Sequence, residues 1–345
     1  MKYFLSIIAG GFILASSFWF FQKDNCFSAF FNQENEADSI PSIAFEEKVK
    51  GVESQKRKSI SLKKVAFPIA QIQPVRKKEA NDLVVPNAHA SLILDADSGT
   101  ILHSCKGKER RQIASLTKLL TAVIAVEKVS NLNEEATVSE EAVYAEGTKV
   151  GCPRSGYCVS ERLKIGEKLS VKSLLKAMLM NSANDAAIVL AEHISGSQEK
   201  FAELMNEKAK ELGLRDSHFC TPSGLEIDGR EDECYSSAYD IARVTAYSMQ
   251  YEIIWKILRL PEAEIISMDG KYTHQIMNTD RLLDQLPNCL GGKTGFTPLA
   301  GRSLITAVAD PTGKHKIIMV VLDDPYRWQD VQMMAGWAFK SYEWQ

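Results

Sequence analysis

The chain has 345 residues, 45% of them hydrophobic and 25% charged, an ordinary globular balance with room for two or three domains. That excludes a collagen-like, wholly disordered or polytopic membrane protein. A net charge of −3 argues against a dedicated nucleic-acid binder, and the six His include no H-E-x-x-H pair of a zinc hydrolase.

Residues 3–21 form an uncharged run between Lys2 and Lys23. Nineteen residues at helical rise nearly span a bilayer core of about 30 Å. Residues 1–21 therefore read as a signal peptide, with Ala15-Ser16-Ser17 as its cleavage site, or as an N-terminal membrane anchor. The anchor is favoured, because residues 18–21 carry the apolar stretch past that site. Either reading exports the rest of the chain to the periplasm or the outer face of the cytoplasmic membrane. Residues 22–83 read as a polar stem or linker, without apolar periodicity and broken by Pro41, Pro68 and Pro74. Residues 46–79 hold ten Lys or Arg against four Glu. A solvated tether is the simpler reading of that charge, contact with anionic lipid or wall polymer the other.

From Val84 the pattern is that of a folded domain, 84–345. Residues 90–94 and 100–103 flank the turn-rich Asp95-Ala96-Asp97-Ser98-Gly99 and predict a hairpin. Residues 115–128 predict a helix that is apolar nearly all round, hence central and buried. Ser170 caps a helix to Met180, and residues 185–194 predict another, stopped by Gly196. Residues 201–212 follow, ending at Gly213. Ser237-Ala-Tyr-Asp240 is a capping-box pattern that opens a helix to about Leu258. Three strands follow, around residues 292–296, 302–308 and 316–322, and residues 328–339 close the pattern as an amphipathic helix. The fold class is α+β: one antiparallel sheet built from both chain ends, with flanking helices and an inserted helical region.

Seven Cys in an exported chain permit disulfides. Cys152 with Cys158, and Cys220 with Cys234, are spaced to close short surface loops. The other reading is ordinary small buried residues.

Chemistry concentrates in three motifs. In Ser115-Leu116-Thr117-Lys118 the hydroxyl and the amine share a helix face. A Ser hydroxyl is a poor nucleophile until a base takes its proton. An ordinary Lys is protonated and useless as that base, but burial in an apolar helix lowers its pKa. The same S-x-x-K pattern recurs at Ser61/Lys64, Ser173/Lys176 and Ser197/Lys200, so spacing alone is weak. Two further motifs single out the first copy. Ser182-Ala183-Asn184 breaks two apolar helices, and Lys293-Thr294-Gly295 opens the C-terminal sheet, 67 and 178 residues beyond Ser115. The ordered trio is the set used by penicillin-binding proteins and class A β-lactamases. Ser182 suits a proton relay to a leaving amine. Asn184 offers donor and acceptor to a substrate peptide bond. Lys293 and Thr294 suit a terminal carboxylate, and Gly295 lets a substrate backbone approach the strand. The backbone amides of Ser115 and Phe296 are the oxyanion-hole candidates.

Over residues 84–345 the chain resembles the D-alanyl-D-alanine carboxypeptidases, low-molecular-mass penicillin-binding proteins of the serine peptidase class. The resemblance rests on Asp95-Ala-Asp-Ser-Gly99, Ile113-Ala-Ser-Leu-Thr-Lys-Leu-Leu-Thr121 and Asn181-Ser-Ala-Asn-Asp-Ala186. It also rests on Ser223-Gly-Leu225, Ser236-Ser-Ala-Tyr-Asp-Ile-Ala242, Lys293-Thr-Gly-Phe-Thr297 and Ala300-Gly301. It implies a β-lactamase/transpeptidase-like fold, and removal of the terminal D-alanine from peptidoglycan stem peptides. The implied roles are Ser115 as acyl-ester nucleophile, Lys118 as proton acceptor, Ser182 as third active-site residue and Lys293 as carboxylate contact. β-Lactams would acylate Ser115. No cofactor or metal is implied. The chain departs from the family where Leu290-Gly291-Gly292 precedes Lys293, a place often holding an Asp, and where Phe296 stands for a common His.

Two readings of other kinds compete. A DD-endopeptidase of the same family differs in tolerating a branched substituent. A non-catalytic penicillin-sensing or wall-binding module on a tether would not need the dyad. A β-lactamase is disfavoured, because Glu203-Leu-Met-Asn206 is its sole faint source of a deacylating Glu and reads as helix surface.

Overall fold

The computed structural model describes residues 72–153 and 157–345. The expected signal or anchor, and the stem up to residue 71, lie outside the described residues. The described fold reaches back past the expected start at Val84. Strand β1 (Pro74–Arg76) pairs with the last strand of the chain.

The hairpin follows as β2 (Ala90–Asp95) and β3 (Ile101–Cys105). A 3₁₀ turn (Ala114–Thr117) leads into α1 (Lys118–Lys128). The helical middle comprises β4 (Glu135–Thr137), α2 (Glu140–Tyr144), β5 (Lys168–Ser170), α3 (Val171–Met180), α4 (Asn184–Ser195) and α5 (Gln198–Glu211). Ser170 caps α3 by accepting from Ser173 N, and Gly196 ends α4 in the left-handed conformation. Next come α6 (Ala238–Ser248), α7 (Glu252–Leu258) and the hairpin β6 (Glu262–Ile266) and β7 (Thr273–Met277). The chain returns to the sheet with β8 (Cys289–Thr297), β9 (Gly301–Ala309) and β10 (Lys316–Leu322), then α8 (Arg327–Ser341) and β11 (Tyr342–Trp344).

The main sheet is antiparallel in the order β3-β2-β10-β9-β8. The two chain ends meet where β2 pairs with β10. Side chains alternate between two cores. Leu92, Leu94, Ile318 and Val320 face the helical middle, while Ile93, Ile317, Met319 and Val321 face α8. Burial on both faces explains why β2 and β10 read as continuous apolar runs. Helix α8 presents Val331, Met334, Ala335 and Ala338 to the second core at helical spacing.

Two expected elements differ in extent. Ser115 lies in the 3₁₀ turn, and α-helix starts only at Lys118. The helix expected from Ser237 to about Leu258 breaks between α6 and α7. There Ser248 Oγ donates to Thr245 O (2.6 Å) and receives the Trp255 indole N–H (3.2 Å). A hydroxyl that takes up a backbone carbonyl competes with helix propagation.

Candidate active site

The site forms where the 3₁₀ turn, the α3–α4 break and the edge strand β8 converge. Ala114 opens the turn at φ +47°, a left-handed conformation that few side chains adopt. Successive residues i and i+3 eclipse in a 3₁₀ turn, which brings Lys118 back over Ser115. Lys118 Nζ lies 2.8 Å from Ser115 Oγ, 2.7 Å from Asn184 Oδ1 and 2.6 Å from Ser223 O. Its side chain is fully buried. Burial holds the amine well below its ordinary pKa; the nearby Lys293 pushes the same way, and Asp185 opposes both.

Ser182 sits between α3 and α4 at φ +60°. Its backbone is pinned: Thr148 Oγ1 donates to Ser182 O (2.6 Å), and Asn181 Nδ2 donates to Lys149 O (2.6 Å). Strain of this kind persists only when the surroundings over-determine it. Ser182 Oγ accepts from Lys293 Nζ at 2.8 Å. Asn184 has its amide engaged at both ends. Oδ1 accepts from Lys118, and Nδ2 donates to Glu146 O at 2.7 Å. Asn184 thus holds Lys118 in place and ties down the segment around Glu146. Asp185, next to it, accepts from Val150 N and Ala186 N, and burial raises its pKa to about 6.

Strand β8 carries Lys293, Thr294 and Gly295 at the sheet edge, and among the described residues no strand pairs on its outer side. The 3₁₀ turn packs against it, so Ser115 and Phe296 lie on adjoining elements. Lys293 is 1% exposed, and its Nζ also donates to Thr294 O at 2.9 Å. Burial lowers its pKa to about 7; Arg327 adds to that, and Asp280 opposes it. Thr294 Oγ1 is 2.7 Å from Thr279 Oγ1. Gly295 O accepts from Arg327 Nη1 at 3.1 Å. The Phe296 side chain is 62% exposed.

One wall of the site came without a role from sequence reasoning. The segment Thr221–Glu226 supplies the Ser223 carbonyl to Lys118, and Pro222 O accepts from Thr121 Oγ1 at 2.7 Å. Gly224 has φ +79°, and a Cβ there would stand 2.0 Å from Ala114 O, so only glycine fits. Glu226 Oε1 accepts from Thr297 Oγ1. The Cys220–Cys234 disulfide closes this loop, and Cys152–Cys158 closes the other, with S–S distances of 2.13 and 2.04 Å. Ser223-Gly-Leu225 was legible only as part of a resemblance, because a backbone carbonyl leaves no side-chain signature. Glu203 is exposed on α5, and Asn206 is spent on the backbone of Phe219 and Ala202, so neither joins the site. Among the described residues no group of three or more His, Cys, Asp or Glu could hold a metal ion.

Chemically, the arrangement couples a hydroxyl to a depressed amine, and a second hydroxyl to a second depressed amine. It stands beside an open strand edge able to take an extended peptide.

Comparison with known proteins places these features in context. Residues 76–326 match the model of a protein family described as D-alanyl-D-alanine carboxypeptidase. The chain is 32% identical over 263 residues to D-alanyl-D-alanine carboxypeptidase DacF of Bacillus subtilis, covering 74% of this chain and 63% of that relative. It thus spans less than two thirds of that protein's length. The crystal structure of a D-alanyl-D-alanine carboxypeptidase from Mycobacterium tuberculosis superposes with a TM-score of 0.67 at 27% identity, covering 77% of this chain and 96% of that one. Penicillin-binding protein D2 of Listeria monocytogenes, solved in its ampicillin-bound form, gives 0.60 at 25% identity over 75% of this chain and all of that one.

Proposed function

This chain belongs to the D-alanyl-D-alanine carboxypeptidase family, and on that premise we propose that it removes the terminal D-alanine from peptidoglycan stem peptides through an acyl-enzyme on Ser115. The observation that carries the reading is the buried Lys118 amine 2.8 Å from Ser115 Oγ. A Lys held below its ordinary pKa accepts the Ser115 proton as Oγ attacks the carbonyl carbon of the D-Ala–D-Ala bond. Lys118 keeps its alignment through Asn184 Oδ1 and Ser223 O. Ser182, with Lys293 at its oxygen, relays that proton from the dyad to the departing amine, so that Lys118 returns to its neutral form. Lys293 and Thr294 bind the terminal carboxylate of the substrate, whose backbone lies along β8 near Gly295. The amides of Ser115 and Phe296 hold the developing oxyanion. Release of D-alanine leaves an ester on Ser115, which water cleaves to regenerate the hydroxyl.

β-Lactams act on the same residues as substrate mimics. Attack of Ser115 Oγ opens the lactam ring and leaves a covalent ester. A peptidoglycan substrate puts the domain outside the cytoplasm, with residues 1–21 as signal or anchor and the basic stem as a tether. The Cys152–Cys158 and Cys220–Cys234 disulfides suit that compartment.

The test is D-alanine release by the purified full chain from a pentapeptide ending in D-Ala-D-Ala, with Ser115→Ala alongside. Release by the wild type and none by the variant is the expected result. A wild type that cleaves a cross-linked dimer but not the pentapeptide would replace this reading with an endopeptidase. Loss of both activities would replace it with a sensor.

A further inference from the structure

Thr279 has no part in the chemistry above, yet its hydroxyl touches a residue that has. It lies in the segment Asn278-Thr279-Asp280, between β7 and β8. The segment is fixed on both sides of it. Asn278 Nδ2 donates to Leu258 O (2.9 Å) and Leu260 O (2.8 Å), and Asn278 Oδ1 accepts from Asp280 N (2.9 Å). Asp280 Oδ1 accepts from Leu282 N (2.8 Å). Thr279 N donates to Met180 O (3.0 Å), two residues before Ser182. That backbone bond braces the α3–α4 break whatever side chain stands at 279, so the brace does not call for a hydroxyl.

Successive side chains of a strand point to opposite faces. From β8, Lys293 reaches Ser182 Oγ (2.8 Å), and Thr294 reaches Thr279 Oγ1 (2.7 Å). Among the described residues Thr279 is the hydrogen-bond partner of the Thr294 hydroxyl. Each threonine hydroxyl has one proton to donate and two lone pairs to accept with. Two acceptors compete for the Thr279 proton: Thr294 Oγ1 at 2.7 Å and Met180 O at 3.3 Å. The first distance is ordinary for an O–H···O bond, and the second lies beyond its usual range. Met180 O also accepts from Thr279 N already. The direction decides what Thr294 can offer. With Thr279 donating, the Thr294 proton is left for a ligand at the open edge of β8, and the two bonds reinforce each other. With Thr294 donating inward, the edge meets only its lone pairs, which repel a carboxylate.

We propose that Thr279 is a positioning residue for carboxylate recognition: its hydroxyl donates to Thr294 Oγ1 and leaves the Thr294 proton for the terminal carboxylate of the substrate. This inference rests on the carboxylate role given to Thr294 above. Thr279 acts through Thr294 and sharpens the choice of a free C-terminal carboxylate over a blocked one. It stands 15 residues from Thr294 and outside all three motifs, so the fold alone pairs the two hydroxyls.

The experiment measures second-order rates of Ser115 acylation by a fluorescent penicillin, which carries a carboxylate, and by its methyl ester, which does not. The full chain is compared with Thr279→Val, Thr279→Ser, Thr294→Val and the Thr279→Val/Thr294→Val double variant. Thr279→Val keeps the branched shape and the backbone bond to Met180 and removes the hydroxyl. It is expected to slow acylation by penicillin about fivefold, the worth of one ordinary hydrogen bond, and to leave the methyl-ester rate unmoved. Thr279→Ser restores the penicillin rate. The double variant reacts no more slowly than Thr294→Val, because the two hydroxyls act as one unit. Equal losses on penicillin and ester would make Thr279 a merely structural brace and overturn the proposal. So would additive losses in the double variant, or an unchanged penicillin rate in Thr279→Val. A Thr279→Val chain that fails to fold while Thr279→Ser folds would overturn it too, since the hydroxyl would then serve stability. A wild type that takes penicillin and its ester equally fast would overturn the carboxylate role of Thr294, and one that penicillin does not acylate would overturn the Ser115 reading; this inference falls with either.

Discussion

At the scale of single residues, the site is a problem in placing two amines where water does not reach. Lys118 and Lys293 are both essentially unexposed, and both lose basicity for that reason first. The functional gain has a thermodynamic cost with a definite sign. A Lys whose pKa is lower folded than unfolded binds fewer protons in the native state, so stability rises with pH between the two values. For Lys293 the window opens near pH 7 and closes at the ordinary lysine pKa of about 10.4. Urea titrations from pH 7 to 9 should show wild-type stability gaining relative to Lys293→Met; parallel curves would refute the depressed amine. Lys118→Arg makes a separate test, because a guanidinium stays protonated throughout. Penicillin acylation should fall by 10²-fold or more, the ordinary worth of a positioned base, while the melting temperature reports whether the fold survived. Full activity in that variant would remove Lys118 from the role of base.

At the scale of elements, the site depends on short irregular segments held by long regular ones. The 3₁₀ turn, the α3–α4 break and the 221–226 loop contribute the contacts, and α1, α4 and β8 hold them in place. The Cys220–Cys234 bridge matters because its loop presents the Ser223 carbonyl to Lys118. Replacing both Cys by Ala should cost about 2–4 kcal/mol of stability. Acylation should slow as well, beyond what the lost folded fraction explains, when measured well below the melting temperature. An unchanged rate would mean that packing alone holds the loop. Long elements were legible in the sequence wherever periodicity was strong, as in α3, α4 and the three C-terminal strands. The pairs β1–β11 and β4–β5 were not, because three residues are too few to display alternation. The β6–β7 hairpin escaped for a related reason: one face is exposed, and its partners are set by register.

At the scale of the whole molecule, one sheet serves two cores. Leu92 and Ile93 are neighbours in sequence, fully buried on opposite faces of β2. Leu92→Ala should loosen the helical side and Ile93→Ala the α8 side, each by about 2–5 kcal/mol. Because both cores share the sheet, each variant should shift a single cooperative unfolding transition. Two separated transitions in either variant would show that the cores melt independently. The last strand is likewise tied to the first hairpin of the main sheet. Tyr342 donates its hydroxyl to Leu102 O at 2.8 Å, and Trp344 Nε1 donates to Asp95 Oδ1 at 2.7 Å.

The sequence by itself determined the fold class, the sheet shared by both chain ends and the order of the three motifs. These depend on periodicity and on side-chain types, which are written residue by residue. It also nominated Ser115, Lys118, Ser182 and Lys293, whose hydroxyl–amine pairs the fold brings to 2.8 Å. Only the tertiary structure decided how Asn184 is spent and which carbonyl faces Lys118. Those depend on desolvation and on backbone atoms from distant segments. A lysine's environment is a property of what surrounds it in space, and no spacing along the chain encodes it.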